Sequence, residues 1–346
     1  MSDLQMWLAL LGAALVAGIF VFSRIQEYRH RRLANQVLPE HDEDVLLQGA
    51  PTSARSEPKF QHSEEDAASL VEIPGPDPAV EFTVLLQGDH TVSGAELWQA
   101  LITSAISTRN IRWAGQEMIG GQWFSVDGPT DHRFAVLAGM LQLSSRRGPL
   151  NQTQIALFSD EMREISRQLQ VSPQVGDAAI ALKASESLDQ FCAKVDVLIG
   201  VNVIFPEGVT LPARRLRQAA EAEGLLLGDD GVFHVMDARH RDRFTLAHRD
   251  GQPFLDNDLD VTPISGLTLL LDVPRVDDAL TALHDMFSLA GRLSQDLGGR
   301  VVDDNGAALG VRQLAVIEKQ LSGLLQQMEQ QKIPAGSALA LRLFSN

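Results

Sequence analysis

Two copies of the tripeptide His-Arg-Asp, at residues 240–242 and 248–250, are the first candidates for chemistry in this sequence. In protein kinases this tripeptide begins the catalytic loop, in which a metal-binding Asn follows five residues after the Asp. Here those positions are Ala247 and Leu255, and no glycine-rich phosphate loop accompanies either copy. The two tripeptides therefore predict polar turns between strands.

The other reactive side chains give no catalytic or metal-binding pattern either. The nine histidines never occur at the His-x-x-x-His or His-Glu-x-x-His spacing of zinc sites. Asp303 and Asp304 precede Asn305 and Gly306, which is typical of a turn. The single cysteine, Cys192, lies in an apolar helical stretch and is interpreted as a buried, inert thiol. We predict no catalytic residue, no metal and no cofactor.

Composition narrows the class of protein further. Apolar residues make up 45% of the 346, enough for a real core, and this length suits about two domains. The 29 basic and 45 acidic residues give a net charge of -16, which repels phosphate backbones and argues against nucleic-acid binding. With catalysis, metal binding and nucleic-acid binding disfavoured, we predict that the chain binds another protein.

Residues 4–23 predict a transmembrane helix, because about 20 apolar residues without a charge can cross a bilayer. Only Met-Ser-Asp precedes them, whereas four arginines follow: Arg24, Arg29, Arg31 and Arg32. This layout predicts an inner-membrane anchor, and the positive-inside rule then places residues 1–3 in the periplasm and the rest of the chain in the cytoplasm. Small residues in the segment offer a face for self-association: Gly12, Ala13, Ala14 and Gly18.

The composition of residues 24–79 predicts a linker that is basic next to the membrane and acidic farther along the chain. Its acidic part is rich in Asp, Glu, Ser and Pro and has no apolar period. Such a segment buries too little surface to offset its ordering entropy. As a coil of about 45 residues it would reach roughly 35–40 Å.

The remaining sequence predicts two tandem, related α+β units at residues 80–192 and 193–327, followed by a tail at 328–346. Each unit starts with an apolar strand and an amphipathic helix, continues with short strands, and ends with two helical stretches. The first of these helices has an apolar residue every three or four positions in both units. In the first unit these are Ile155, Phe158, Met162, Ile165 and Leu169, and in the second Leu280, Leu283, Phe287, Ala290 and Leu297. This order predicts antiparallel sheets with helices on one face.

Strand alternation in the second unit identifies the face that the helices leave open. Large apolar residues occupy one set of alternate positions, as in Val197, Ile199, Val201 and Val203. The opposite set is small and mildly apolar: Leu198, Gly200, Val232, Thr245, Ala247, Thr268 and Leu270. Such a face is a candidate docking surface, either for a partner protein or for the first unit.

At this point the chain resembles the ZipA family of bacterial division proteins. An N-terminal anchor, a basic flank, an acidic tether and a C-terminal α+β domain form the plan of that family. The closest resemblance covers residues 195–324 and rests on VDVLIGVNV, EGLLLGDDGVF, RFTLA, GLTLLLDVPRVDDAL and LGGRVVDDN. The first unit resembles a degenerate copy of the same domain.

The resemblance implies a partner, the C-terminal tail peptide of FtsZ, held on the open sheet face at the division septum. The family's contact positions correspond here to Leu198, Gly200, Asp230, Val232, Ala247, Arg249 and Leu270. Better-known members carry bulky Met, Phe or Ile at several of them, so weaker binding is expected. The alternative is a membrane-anchored scaffold for another division protein, with its two units docked on each other. An enzyme with an unrecognised site is the third hypothesis.

Overall fold

The computed structural model describes residues 70–104, 111–254 and 263–345. Within these ranges, none of the helices has both the length and the apolar character that a membrane crossing needs. The predicted anchor at 4–23, its arginine flank and the linker up to residue 69 lie outside the described residues.

The first unit is a six-stranded antiparallel sheet with three helices. Its elements in chain order are β1 (Glu72–Ile73), β2 (Glu81–Ser93), α1 (Gly94–Thr103), β3 (Ile111–Gln116), β4 (Trp123–Ser125), β5 (Arg133–Gln142), β6 (Ser144–Ser145), β7 (Gly148–Pro149), α2 (Gln152–Gln168), β8 (Ser172–Val175) and α3 (Ala178–Val195). The strand order is β1-β4-β3-β5-β2-β8, and β6 and β7 form a separate small hairpin.

The second unit repeats this plan. Its elements are β9 (Leu198–Ile204), β10 (Leu211–Pro212), α4 (Ala213–Ala222), β11 (Leu226–Leu227), β12 (Phe233–Met236), β13 (Asp242–His248), β14 (Pro263–Ile264), β15 (Gly266–Asp272), α5 (Ala279–Leu297), β16 (Arg300–Val302) and α6 (Val311–Gln330), and α7 (Ala338–Leu343) ends the chain. Its main sheet has the order β11-β12-β13-β15-β9-β16. In the first unit β2 lies between β5 and β8, and in the second unit β9 lies between β15 and β16. In each unit the last-named strand is short and follows a helix. The predicted mixed α+β class with antiparallel sheets is confirmed.

Local sequence explains where the principal helices begin and end. Ser93 and Glu96 form a capping box that starts α1, because each side chain accepts from the other residue's backbone N–H. The Asp278 carboxylate caps α5 by accepting from the N–H of Thr281. Gly298 ends that helix in the left-handed conformation that glycine adopts without strain.

The folded region begins earlier than the composition indicates. Residues 70–79, assigned above to the flexible linker, include β1, which pairs with β4 at the edge of the first sheet. The Arg112 guanidinium fixes the segment by donating to the carbonyls of Pro74 and Gly75. A two-residue strand held by a side chain from residue 112 leaves no periodic signal in its own sequence.

The C-terminal segment joins the two units. Leu314, Leu321 and Leu325 of α6 pack on the second core, whereas Met328, near its end, is fully buried in the first. The residues that follow turn back into the first core, where Ile333, Leu343 and Phe344 are at most 3% exposed. The sequence left open whether residues 328–346 are ordered, and through residue 345 they are part of the first unit's core.

A buried ion cluster makes a second connection between the units. Arg146, in the β6–β7 hairpin, donates to both carboxylate oxygens of Asp196 and of Asp272, at 2.6–3.2 Å. Its side chain is only 5% exposed. Burial opposes the charged form, but the hydrogen bonds that Arg146 donates to Asp272 and Asp196 outweigh it and raise the pKa of Arg146.

Replacing Phe344 with Ala should destabilise the folded region by about 3–5 kcal/mol, because it leaves a cavity in the first core. Chemical denaturation of residues 66–346 measures the change. Val316→Ala is the matched control, since Val316 is 57% exposed on α6 and should change the free energy of unfolding by less than about 0.5 kcal/mol. Equal effects of the two substitutions would show that the C-terminal segment does not stabilise the first unit.

Candidate docking face

The helices of the second unit pack on one face of its sheet. Val201, Leu246 and Leu269 point inward from β9, β13 and β15, are at most 1% exposed, and share a core with α4, α5 and α6. Because successive strand residues point to opposite sides, the intervening residues lie on the other face. We call that other face the open face.

The strand register brings four of the seven expected contact positions together on the open face. Leu270 lies opposite Gly200, and Asp272 lies opposite Leu198, in the pairing of β15 with β9. Ala247 lies opposite Thr268 in the pairing of β13 with β15. Leu198, Gly200, Ala247 and Leu270 are all partly exposed. Three neighbouring strands thus present a mildly apolar strip roughly 10 Å wide.

The other three expected positions lie at the margins of this strip. Arg249 is exposed just after β13, and Asp230 is exposed in the turn before β12. Val232 is only 7% exposed and offers little surface to a partner. The chain returns close to it, since the N–H of Phe254 donates to the carbonyl of Gly231. Alternation alone could not detect this return.

A histidine between two carboxylates borders the strip, and no sequence pattern predicts it. His234 Nδ1 lies 2.8 Å from Asp242 Oδ1, and its Nε2 lies 3.2 Å from Asp230 Oδ1. Burial disfavours the imidazolium, but hydrogen bonds and charge from Asp230 and Asp242 outweigh it and raise the pKa of His234. Asp230 is therefore engaged within the domain and is not a free contact.

A chain of side-chain hydrogen bonds, which we call the polar relay, also crosses the strip, and no sequence pattern predicts it. The Thr268 hydroxyl donates to Asn202 Oδ1 at 2.6 Å, and Asn202 Nδ2 donates to Asp304 Oδ1 at 2.8 Å. The second pair is separated by 102 residues in sequence. Asp303 has the turn role expected of it, because its carboxylate accepts from the N–H groups of Asn305 and Ala307.

The two His-Arg-Asp copies bracket β13, as expected of turns between strands. Asp242 begins the strand and His248 ends it. His248 is buried on the core side, and burial lowers its pKa. Among the described residues no group of three His, Cys, Asp or Glu side chains could hold a metal ion.

A cavity of about 580 Å³ lies in the first unit, away from the open face. Arg112, Arg147, Arg342 and Gln142 line it together with Asp127. Asp127 is the one carboxylate in that lining. General acid–base chemistry by paired carboxylates therefore has no site there.

The corresponding face of the first sheet is filled by its own side chains. Ala114, Ala138 and Met140 are fully buried there beneath Leu85 and Trp123. The N-terminal segment adds Ile73 to this cover. The small residues of this face are thus covered by large side chains in the first unit, whereas Gly200 and Ala247 are partly exposed in the second.

Residues 197–320 match the family model of the C-terminal FtsZ-binding domain of ZipA. The resemblance inferred from the sequence is confirmed over this range. That family is a protein-binding domain of cell division and is not an enzyme family. The match includes β9 through the first half of α6, and with them every strand of the open face.

The stability of the folded region should fall as pH rises through the folded-state pKa of His234. Its raised pKa means that the ion pairs contribute fully below the unfolded value of about 6.5 and are lost above the folded one. His234→Gln should therefore destabilise the protein more at pH 6 than at pH 8.5 in chemical denaturation. The control His240→Asn changes an exposed turn histidine at positive φ and should show no such difference. A pH-independent effect of His234→Gln would contradict the ion-pair assignment.

Proposed function

Because residues 197–320 match the FtsZ-binding domain of ZipA, we propose that this chain binds the C-terminal tail peptide of FtsZ on the open face. The observation that carries the proposal is the partial exposure of Leu198, Ala247 and Leu270 on one apolar strip. An extended or helical peptide can bury its apolar side chains on such a strip.

The composition of the strip favours modest affinity for a single peptide. Gly200 has no side chain to bury, and Val232 is already covered. Each methylene removed from water contributes about 0.8 kcal/mol, so a strip with few bulky side chains stabilises the complex less. FtsZ filaments present many tails, and binding several of them at once compensates through effective concentration.

The N-terminal part of the chain supplies the second half of the proposal. The apolar segment at residues 4–23 and the arginines that follow it would anchor the protein in the inner membrane with its folded region in the cytoplasm. The acidic linker would then allow the folded region to reach filaments near the membrane. In this role the protein is a membrane anchor of the division ring.

A membrane scaffold for another division protein is the second candidate, and one observation favours part of it. The two units do pack together, through α6 and through the Arg146 cluster. The scaffold hypothesis also required that this docking bury the open face. The partial exposure of Leu198, Ala247 and Leu270 supports the FtsZ proposal instead.

Leu270→Asp should weaken binding of the FtsZ tail peptide at least tenfold, since it places a charge at the centre of the apolar strip. Fluorescence anisotropy of a labelled peptide, titrated with residues 66–346, measures this change. The matched control is Leu157→Asp on α2, where Leu157 is 65% exposed, and its affinity should remain that of the wild type. Wild-type binding that both variants retain would locate the peptide elsewhere, and no binding at millimolar protein would reject the function.

Deleting residues 1–32 should move the protein from the membrane fraction to the soluble fraction and abolish its recruitment of FtsZ filaments to vesicles. The deletion removes the apolar segment and its basic flank but none of the described fold. Co-sedimentation with vesicles of bacterial lipid measures both properties. A deleted form that still recruits filaments would contradict the anchor.

A further inference from the structure

The Asp304 carboxylate lies on the open face, directly above the backbone of β9. A Cβ atom built on Gly200 would be 3.1 Å from Asp304 Oδ1 and 3.5 Å from Oδ2. The missing side chain at residue 200 therefore leaves room for a carboxylate against the sheet. Leu270 lies opposite Gly200, so the apolar strip continues beside this charge.

The polar relay holds the carboxylate in place. Asn202 is only 4% exposed, and its amide has a fixed orientation because the Thr268 hydroxyl donates to its oxygen. The amide nitrogen is then directed at Asp304 Oδ1. A group held by a buried side chain loses little conformational freedom when a partner binds, which favours its use in recognition.

The second carboxylate oxygen is available to a ligand. Asp304 is exposed, and within the described part of the chain Oδ2 has neither a hydrogen-bond donor nor a cation as partner. A peptide that covers Leu198 and Leu270 would also remove water from this oxygen. Burying a carboxylate without a partner is strongly unfavourable, whereas a charge-assisted hydrogen bond offsets the loss of water.

We infer that Asp304 is a specificity-determining residue of the open face and selects a bound peptide with a Lys or Arg side chain near its apolar contacts. The inference deepens the proposed function and rests on it. The carboxylate would pair with the cation of the peptide, while Leu198, Ala247 and Leu270 hold its apolar residues.

Anisotropy titrations with the full chain in detergent micelles test this inference, using the FtsZ tail peptide at 50 and 300 mM NaCl. Asp304→Asn removes the charge and keeps an oxygen that can accept from Asn202. It should weaken binding about threefold to tenfold at low salt and reduce the salt dependence. Asp304→Glu, which keeps the charge, should retain most of the affinity.

The control Asp296→Asn makes the same change in net charge on α5, in the helix layer behind the sheet, and should bind as the wild type does. Peptides in which each Lys or Arg is replaced in turn by Gln complete a double-mutant cycle. One replacement should weaken binding to the wild type and have little further effect on Asp304→Asn.

Equal affinity and salt dependence of Asp304→Asn and Asp296→Asn would overturn the inference and leave the proposed function intact. A loss in Asp304→Asn that is the same at both salt concentrations, with a lowered melting temperature, would assign Asp304 a structural role and also overturn it. Absence of wild-type binding would reject the proposed function and the inference together.

Discussion

The packing of α6 across both cores is the interaction on which the arrangement of the folded region depends. Its first turns cover the second core, Met328 enters the first, and the chain then continues into the first core as far as Phe344. The units are thus joined through their helix layers, with the Arg146 cluster as a second connection. The α6 contact uses the helix layer of the second unit, and the Arg146 cluster reaches Asp272 at one end of the open face. Leu198, Ala247 and Leu270 stay partly exposed beside these contacts.

The related sheets of the two units differ in the face turned away from their helices. In the first, β1 and bulky side chains cover Ala114, Ala138 and Met140. In the second, glycine and small residues leave backbone and polar groups accessible, so that Asn202 and Thr268 can support a carboxylate there. Two units of similar strand order thus differ in this face: the second presents a partly exposed strip, and the first supplies the core into which the C-terminal segment packs.

Periodicity predicted most of this fold because it reports burial directly. The period-two pattern in β9 and β15 identified the inward and outward residues, and the three-and-four spacing located α2 and α5. It could not show that the chain returns beside Val232, that Arg112 orders residues 70–79, or that residues 328–345 complete the first core. Each depends on contacts between positions far apart in sequence, and the same holds for the relay from Thr268 to Asp304. The family resemblance supplied the partner, which burial patterns do not encode.

Methyl NMR tests most directly whether the open face binds the FtsZ tail. Residues 66–346, labelled at Leu, Val and Ala methyl groups, would be titrated with unlabelled peptide. The proposal predicts the largest shifts at Leu198, Ala247 and Leu270, with smaller shifts at the inward-facing Leu269 and none at Leu157 in the first unit. Shifts confined to the first unit, or no shifts at millimolar peptide, would contradict it.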